Sequence, residues 1–500
     1  MQASSKNIPR IVILTTVSLC TMLYALTLTI VNVVLPQLQG ALSATPDQVS
    51  WVITLNVIAT AVVTPATGWM VARWGERRVM VWSIVGFTVC SLLCAIANSL
   101  EPLLLYRVGQ GAFGAPLVPL AQAIIVATYP PDKRAAAQGI FGMAVVIGPA
   151  VAPAIGGYLA EEYNWRYVFL LILPLCALAL GGVLAFIKDS PRDGPAIRLD
   201  WTGFLMFSVA LTAAQLLMDR GERLDWFEST EIWLYLAGLI AAFWVFLTHS
   251  ATTNNPFINP ELFRDRNFVI GLLLVTVYGM LNITPTVLFP PMLQNLMGYP
   301  DSMIGILLAA RGAGMVVGFL IAARMGTADP RIGMVAGLFL IGLSGWNMAA
   351  FNLDIGPLPV AINGLIQGIG SGVMWVPLSI VAFATLPNRL LPDASSIFHL
   401  LRNFGSSAFI SISIFAVLRT GKINYAELSE NITPYSEVFK LPSLTGLWSF
   451  ESLQGLSAVS SEIGRQALMV GYANAFVLYA FVAFGALPLL LLVKIRNHTA

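Results

Sequence analysis

The sequence predicts an all-α protein that crosses a lipid bilayer many times, and three observations lead to this fold class. Hydrophobic residues make up 57% of the 500 residues and charged residues only 10%, whereas soluble domains carry about 25% charged residues. Mean hydropathy is +0.78. The apolar stretches are continuous runs near the ~20 residues that a spanning helix needs, and not the ~10-residue alternations of a transmembrane barrel.

The same composition argues against most other classes of protein. A net charge of +2 gives no basis for binding nucleic acid. The four cysteines lie inside apolar runs, so we interpret them as packing residues and expect no disulfide framework, metal site or cofactor. The polar segments are too short for a soluble catalytic domain, so we expect no enzyme. The first apolar run, 11–36, is too long for the core of a signal peptide and predicts the first span.

Apolar runs between charged or Pro/Gly-rich breaks define fourteen candidate spans. They cover residues 11–36, 49–72, 79–99, 102–128, 136–160, 167–187, 201–218, 232–250, 268–290, 302–323, 332–352, 358–385, 394–418 and 468–493. A cytoplasmic N-terminus places 17 of the 27 Lys and Arg residues in cytoplasmic segments, 7 on the opposite face and 3 within spans. Cytoplasmic loops carry an excess of Lys and Arg, so we expect both termini in the cytoplasm, which an even number of spans allows.

An internal repeat divides these spans into two sets. The pair Gln110-Gly111 recurs as Gln367-Gly368, and residues 118–120 recur as 376–378. A looser match relates 68–75 to 318–326. Fixed-period similarity of this kind indicates duplicated units, and here it maps spans 2, 4 and 5 onto spans 10, 12 and 13.

The repeat predicts three regions. Two six-helix halves, 1–187 and 268–500, are joined by two inserted spans within 188–267, and an acidic extracytoplasmic loop, 419–464, joins the last two spans. Parallel halves of this kind rock about a central cavity near the bilayer midplane, which is the alternating-access design of the major facilitator architecture. The sequence therefore predicts a transporter.

Several stretches resemble the motifs of one known family. They are residues 29–36 in span 1, 68–78 after span 2, 107–111 in span 4, 139–157 in span 5, and 165–169, 199–203, 219–229 and 263–268. Together they are similar to the fourteen-span drug:proton antiporters of the EmrB type, within the major facilitator superfamily, over nearly the whole chain. The resemblance implies an exporter of amphipathic compounds in the inner membrane, driven by the proton gradient, with a periplasmic adaptor and an outer-membrane channel as partners.

Two of these motifs carry the candidate gating residues. Small residues let helices approach closely, and a proline removes a backbone hydrogen bond and bends its helix. Span 5 would then pack tightly at the interface between the halves, although ordinary glycine-mediated packing explains the spacing equally well. The gating candidates are Gly68, Arg73, Gly75 and Arg77 after span 2, and Gly148, Pro149, Pro153, Gly156 and Gly157 in span 5.

Ionisable groups within spans are costly and are functional candidates by default. Three arginines qualify: Arg107, Arg311 and Arg402. The resemblance implies that Arg107 takes part in coupling or binding, whereas Arg311 and Arg402 could equally cap carbonyls or reach an interface. His399 precedes Arg402 by three residues, so the two share one helix face.

No Asp or Glu lies deep within a predicted span, which leaves the proton carrier open. The family places an acid in span 1 where this chain has Thr27, so Thr27 cannot carry a proton; Ala72 and Asn474 stand at two further acid positions. Three accounts remain. His399 carries the proton, although the charge of Arg402 opposes this; a carboxylate at a span end, such as Glu101 or Asp393, carries it; or unpaired arginines bind an anionic substrate whose own charge supplies the coupling.

Polar side chains of spans 1, 4 and 9 are the candidate lining of a central cavity, together with Arg107. They are Tyr24, Thr27, Asn32, Gln110, Gln122, Tyr278, Asn282 and Gln294. The leading hypothesis is a proton-coupled exporter of amphipathic drugs. The alternatives are an exporter of an endogenous anionic amphiphile, such as a fatty acid, siderophore or lipid, bound by arginine, and a membrane sensor or scaffold that transports nothing.

Overall fold

The computed structural model describes residues 10–188, 198–325, 329–433, 435, 448–450 and 452–494, and this part of the chain is helical, with no β-strand. Its α-helices are α1 (Arg10–Val33), α2 (Leu35–Leu42), α3 (Pro46–Val63), α4 (Thr67–Trp74), α5 (Glu76–Ile96), α6 (Leu100–Gly114), α7 (Leu117–Thr128), α8 (Pro131–Glu162), α9 (Arg166–Leu170), α10 (Ile172–Phe186), α11 (Trp201–Arg220), α12 (Thr230–Thr252), α13 (Arg266–Pro291), α14 (Asp301–Arg324), α15 (Pro330–Ala349), α16 (Pro357–Phe383), α17 (Leu391–Glu430) and α18 (Leu453–Gly485).

Thirteen helical segments of the described residues are long and apolar enough to cross a bilayer. Three predicted spans consist of two helices each: α3 with α4, α6 with α7, and α9 with α10. Helix α8, with 32 residues, occupies the position of predicted span 5. The predicted all-α membrane fold is confirmed, whereas the count of fourteen and the orientation of the termini stay predictions.

Polar side chains fix where several of these helices begin. The first N–H groups of a helix have no partner within it, and a Thr, Ser or Asp just before the helix accepts hydrogen bonds from them. Thr45 and Gln48 form a capping box at the start of α3. Asp200 caps α11, Asp265 caps α13 and Ser452 caps α18. The apolar runs therefore begin as helices at defined residues.

Two hydrophobic cores correspond largely to the two predicted halves. One contains only residues between Leu14 and Ile187. The other runs from Leu262 to Val493 and includes Ala123, Val126 and Ala135 of the first half. The second core therefore extends across the contact between the predicted halves.

Hydrogen bonds between helix termini define two ends of the bundle. The near end, where α1 begins, holds the contacts Arg77–Leu184, Arg389–Glu261 and Arg266–Leu492. The far end holds Arg166–Ala97, Tyr299–Ile355 and Arg465–Leu296. These contacts agree with helices that alternate in direction along the chain, so near and far ends can be assigned to each helix.

The repeated Gln-Gly pair makes the same kind of helix contact in both halves. A Cβ added at Gly111 in α6 would lie 2.4 Å from the carbonyl oxygen of Asn56 in α3. A Cβ added at Gly368 in α16 would lie 2.1 Å from the carbonyl oxygen of Arg311 in α14. Only glycine permits these close approaches, so the duplication preserves a backbone crossing in each half.

The segment 419–464 is less of a loop than the sequence predicts. Helix α17 continues to Glu430 and α18 begins at Leu453. The Tyr425 and Ser460 hydroxyls lie 2.8 Å apart and join the two extensions. Hydropathy falls after residue 418, but α17 continues as a helix. Paired helices can bury a shared apolar face even where the rest of their surface is polar.

Candidate functional site

The two halves meet at the near end of the bundle through glycines. Gly139 and Gly142 of α8 face α14: a Cβ at Gly139 would lie 3.1 Å from the carbonyl oxygen of Phe319, and one at Gly142 would lie 2.5 Å from the Phe319 ring. Gly148 and Gly156, by contrast, pack against Met22 and Ile30 of α1 in the same half. The expected contact between the halves is therefore made by an earlier part of this helix than the predicted glycines.

The other predicted residues of span 5 lie beside these contacts. Helix α8 runs unbroken through residues 149 and 153. Pro149 and Gly157 are partly buried, and the side chain of Pro153 lies outside the described set.

The motif after span 2 forms a second contact between the halves. The position of a Cβ at Gly68 in α4 lies 1.5 Å from Oδ1 and 2.4 Å from Cγ of Asp393, in the first turn of α17. Gly75 has a φ of +88°, which favours glycine, and separates α4 from α5. Arg73 lies in the last turn of α4, and Arg77 donates to the Leu184 carbonyl at 2.7 Å. Asp393, predicted just outside span 13, is thus part of the helix and covers Gly68.

A polar cluster links the halves deeper in the bundle. Nε2–H of His399 in α17 donates to Oε1 of Gln122 in α7 at 2.5 Å, and the Ser395 hydroxyl donates to the same oxygen at 3.3 Å. His399 is 2% exposed and Gln122 is fully buried. Nδ1 of His399 and Nε2 of Gln122 have no hydrogen-bond partner among the described residues. Buried polar atoms without partners are costly, so this cluster can accept a further polar group.

Arg402 lies next to this cluster. Its guanidinium is 5.6 Å from the centre of the Trp375 ring and donates to Oδ1 of Asn403 at 3.1 and 3.3 Å. The Trp375 ring also packs 5.1 Å from Tyr278 and 6.0 Å from His399. Within the described part of the chain Arg402 forms no ion pair with a carboxylate, so an aromatic wall with one cation lies beside the cluster that links the halves.

Arg107 is enclosed within the first half. Its Nε donates to the Val52 carbonyl at 3.0 Å, and its Nη1 donates to Oε1 of Gln110. Gln110 then donates to the Ser91 hydroxyl at 2.7 Å, and Asn56 donates to the Arg107 carbonyl at 2.9 Å. Arg107 is only 1% exposed, so it joins spans 2, 3 and 4 rather than facing the interface.

Arg311 forms the corresponding arrangement in the second half. It donates to Oε1 of Gln367 at 2.5 Å and to Oδ1 of Asn282 at 2.8 Å. Gln367 donates to the Tyr479 hydroxyl at 3.1 Å. The Tyr479 hydroxyl in turn donates to the Leu281 carbonyl at 2.8 Å. Gln367 and Tyr479 were not among the predicted site residues, although the repeat that equates Gln110 with Gln367 would have identified the first of them.

The remaining predicted cavity residues are dispersed. Tyr24 donates to the Thr60 hydroxyl at 3.0 Å, and the buried Thr27 hydroxyl donates to the Leu23 carbonyl of its own helix at 2.9 Å. Asn32 is exposed close to the far end of α1. Gln294 is also exposed, in the π-helical turn Met292–Leu296 beyond α13.

Two helical membrane-embedded halves with polar groups between them define a membrane transporter, not an enzyme. The chain belongs to the Major Facilitator Superfamily, whose family model matches residues 17–410. It is 29% identical to the multidrug export protein EmrB of Escherichia coli (strain K12), over 92% of this chain and 90% of the relative. It is 27% identical to the fatty acid resistance protein FarB of Neisseria gonorrhoeae, over 94% and 93%.

A solved structure has the same fold. The human organic anion transporter MFSD10 (TETRAN) superposes with a TM-score of 0.62 and 14% identity, covering 95% of this chain and all of that one. The predicted superfamily and the resemblance to EmrB are both confirmed. The protein is a multi-pass membrane transporter of small molecules.

Proposed function

We propose that this protein exports amphipathic drugs and related organic compounds across the cytoplasmic membrane in exchange for protons, by alternating access, with both termini in the cytoplasm. The observation that carries the proposal is the buried cluster of His399 and Gln122, which bridges the halves and has unfilled hydrogen-bonding atoms. A group that bridges the halves must change its partners whenever they rock, so it is suited to couple occupancy to conformation.

The contacts at the near end support this mechanism. Glycines at Gly68, Gly139 and Gly142 bring backbone against Asp393 and Phe319 without intervening side chains. Such contacts seal the near end when formed and leave few side-chain interactions to break when the halves separate. The near end is therefore the gate that opens when substrate enters from the cytoplasm.

The proton carrier is proposed to be His399. A neutral imidazole that donates through Nε2 retains a free lone pair at Nδ1, which can take up a proton. Asp393 is the second candidate, since it lies at the gate, and Glu101 at the far end remains the third. In the remaining account no side chain carries the proton, and the charge of an anionic substrate itself supplies the coupling.

Flux into proteoliposomes under an imposed pH gradient tests the proposal. Ethidium serves as the cationic probe and a fluorescent fatty acid as the anionic probe. We expect a pH gradient to drive ethidium accumulation in the wild type, and His399→Gln to abolish the pH-driven component while downhill flux continues. Asp393→Asn is tested in parallel. If this variant alone loses the pH-driven component, Asp393 and not His399 is the proton carrier. Absence of flux for both probes would favour the sensor or scaffold.

Export of an endogenous anionic amphiphile is the second candidate function, and Arg402 favours it. This guanidinium lies against Trp375 without a carboxylate partner in the described chain, and an aromatic wall beside a cation suits an acidic head group with an apolar body. The names of FarB and of the organic anion transporter are consistent with it. Flux of the fatty acid alone, lost in Arg402→Ala, would establish this function over the first.

A periplasmic adaptor and an outer-membrane channel are proposed as partners, with residues 419–464 as the docking segment. Helix extensions held together by Tyr425 and Ser460 supply a firm surface for such a partner. A photo-crosslinker at the exposed Glu427 should capture one specific protein in native membranes, and the same group at Glu228 should not.

A further inference from the structure

The first inserted helix, α11, is attached to the far end of span 2 by charged groups. The Thr54 hydroxyl of α3 donates to Oδ2 of Asp219 at 2.5 Å. Just after α11, Nη1 of Arg223 donates to Oδ1 of Asp47 and to the Ser50 hydroxyl, each at 2.8 Å. These contacts join α11 to the first half.

The same end of α11 also touches span 13, which belongs to the second half. Nε2 of Gln215 donates to the Ser407 hydroxyl at 3.2 Å, and the Ser411 hydroxyl donates to the Met218 carbonyl at 2.8 Å. Beyond the helix, the Trp226 ring packs 5.7 Å from the Phe415 ring. Helix α11 therefore bridges the two halves.

Spans 2 and 13 are thus related differently at the two ends of the bundle. At the near end they touch directly, because Asp393 covers Gly68. At the far end α11 stands between them and makes hydrogen bonds to both. If the halves rock so that the near end opens, the far ends of spans 2 and 13 must approach, and α11 must give up one set of contacts.

The two sets of contacts differ in strength. The contacts to α3 include a hydrogen bond to the Asp219 carboxylate, the Arg223–Asp47 ion pair, and Arg220 over the Trp51 ring at 5.1 Å. The contacts to α17 are two hydrogen bonds between neutral groups and the contact between the Trp226 and Phe415 rings. Hydrogen bonds to charged groups are generally stronger than those between neutral groups, so we expect the α17 contacts to break more easily.

From this difference we propose that α11 is a movable strut: it travels with the first half, holds the far ends of spans 2 and 13 apart while the near end is closed, and slides off α17 when the far end closes. This role for α11 depends on the alternating-access mechanism proposed above. It gives the inserted pair a role in the transport cycle beyond filling space between the halves.

Two chemical locks in a cysteine-free background test the strut. Thr54→Cys with Asp219→Cys ties α11 to α3, and Gln215→Cys with Ser407→Cys ties it to α17; a short bifunctional methanethiosulfonate reagent closes each pair. We expect the α17 lock to abolish ethidium flux and a reducing agent to restore it. The α3 lock should leave flux at the level of the same variant before crosslinking. Flux that survives the α17 lock, or is lost with the α3 lock, overturns the proposal.

Distances measured between spin labels separate this proposal from the transport function. Labels on α11 and α17 should give two distance populations in proteoliposomes, and labels on α11 and α3 only one. A single population for both pairs contradicts the strut even if flux is normal. Two populations for the first pair alone support it even if neither probe is transported.

Discussion

Arginines of the spans fall into two kinds, which differ in where their hydrogen bonds are directed. Arg107 and Arg311 each lie within one half and donate to a glutamine of the repeated pair and to a backbone carbonyl. Arg402 lies between the halves, on an aromatic ring, and its hydrogen bonds among the described residues go only to the neighbouring Asn403. We therefore expect the direction of an arginine's hydrogen bonds, rather than its burial, to separate structural arginines from functional ones.

Contacts between the halves follow the same division. Within each half an arginine is held by a glutamine and a backbone carbonyl, whereas the cluster between the halves leaves Nδ1 of His399 and Nε2 of Gln122 without partners among the described residues. Substitution inside a half should lower stability, and substitution between the halves should change transport. Three predictions test this division, and a fourth concerns a carboxylate in the inserted region.

Arg107→Met should give the largest loss of stability. It leaves the Val52 carbonyl and the Gln110 amide without their buried partner, and unsatisfied buried groups cost about 1–3 kcal/mol each. Thermal unfolding in detergent should occur at a clearly lower temperature than in Arg264→Met, which changes an exposed arginine. Equal stability of the two variants would remove the structural role assigned to Arg107.

Gly68→Ala should abolish flux with a smaller effect on stability. The new methyl group would lie 1.5 Å from Oδ1 of Asp393, so the near end cannot close. Gly305→Ala, with nothing within 4 Å, is the matched control. The double variant Gly68→Ala, Asp393→Ala should recover part of the flux because the carboxyl group is gone. If the single variant transports normally, the gate is elsewhere.

Arg402→Ala should reduce flux of the anionic probe and leave the unfolding temperature nearly unchanged. Arg311→Ala should have the opposite pattern. It removes the hydrogen bonds to Gln367 and Asn282, so it should mainly lower the stability of the folded protein. Paired flux and unfolding measurements on both variants test the division directly. Strong destabilisation by Arg402→Ala would place Arg402 with the structural arginines.

Asp200→Asn should have the smallest effect, a modest loss of stability at neutral pH that disappears at low pH. Burial acts to raise the pKa of the Asp200 carboxyl, but hydrogen bonds from the Gly203 N–H, His249 and the Phe257 N–H outweigh it and hold the pKa below its ordinary value. A lowered folded-state pKa stabilises the protein above the unfolded-state pKa, and this stabilisation is lost as pH falls through the folded-state pKa.

The wild type should therefore lose more thermal stability than Asp200→Asn as pH falls below about 4. Glu228→Gln, at an exposed carboxylate, should behave like the wild type. Parallel pH profiles of the wild type and Asp200→Asn would contradict this account.

Much of the fold could be predicted from the sequence because apolar runs and the repeat are both one-dimensional signals. Pairing of Gln110 with Gln367 already indicates that each half contains the same helix crossing. Helix ends are harder to place, since α17 continues beyond its apolar stretch and gains its stability from α18.

The site was only partly predictable. His399 and Arg402 could be identified as polar groups on one helix face, but their partners come from other helices. Nothing local distinguishes Arg107, whose donors are filled, from Arg402. Likewise Gly139 and Gly148 are equivalent in sequence, and only the positions of α14 and α1 show which of them lies between the halves.

Helix α17 has a mechanical consequence through its length. Forty residues at 1.5 Å per residue span about 60 Å, twice the ~30 Å of a bilayer's hydrocarbon core. Its near end carries Asp393, its first third also carries His399 and Arg402, and its far end is joined to α18 through Tyr425 and Ser460. A tilt of α17 at its near end would therefore also displace its extension beyond the bilayer, together with the part of α18 that is joined to it.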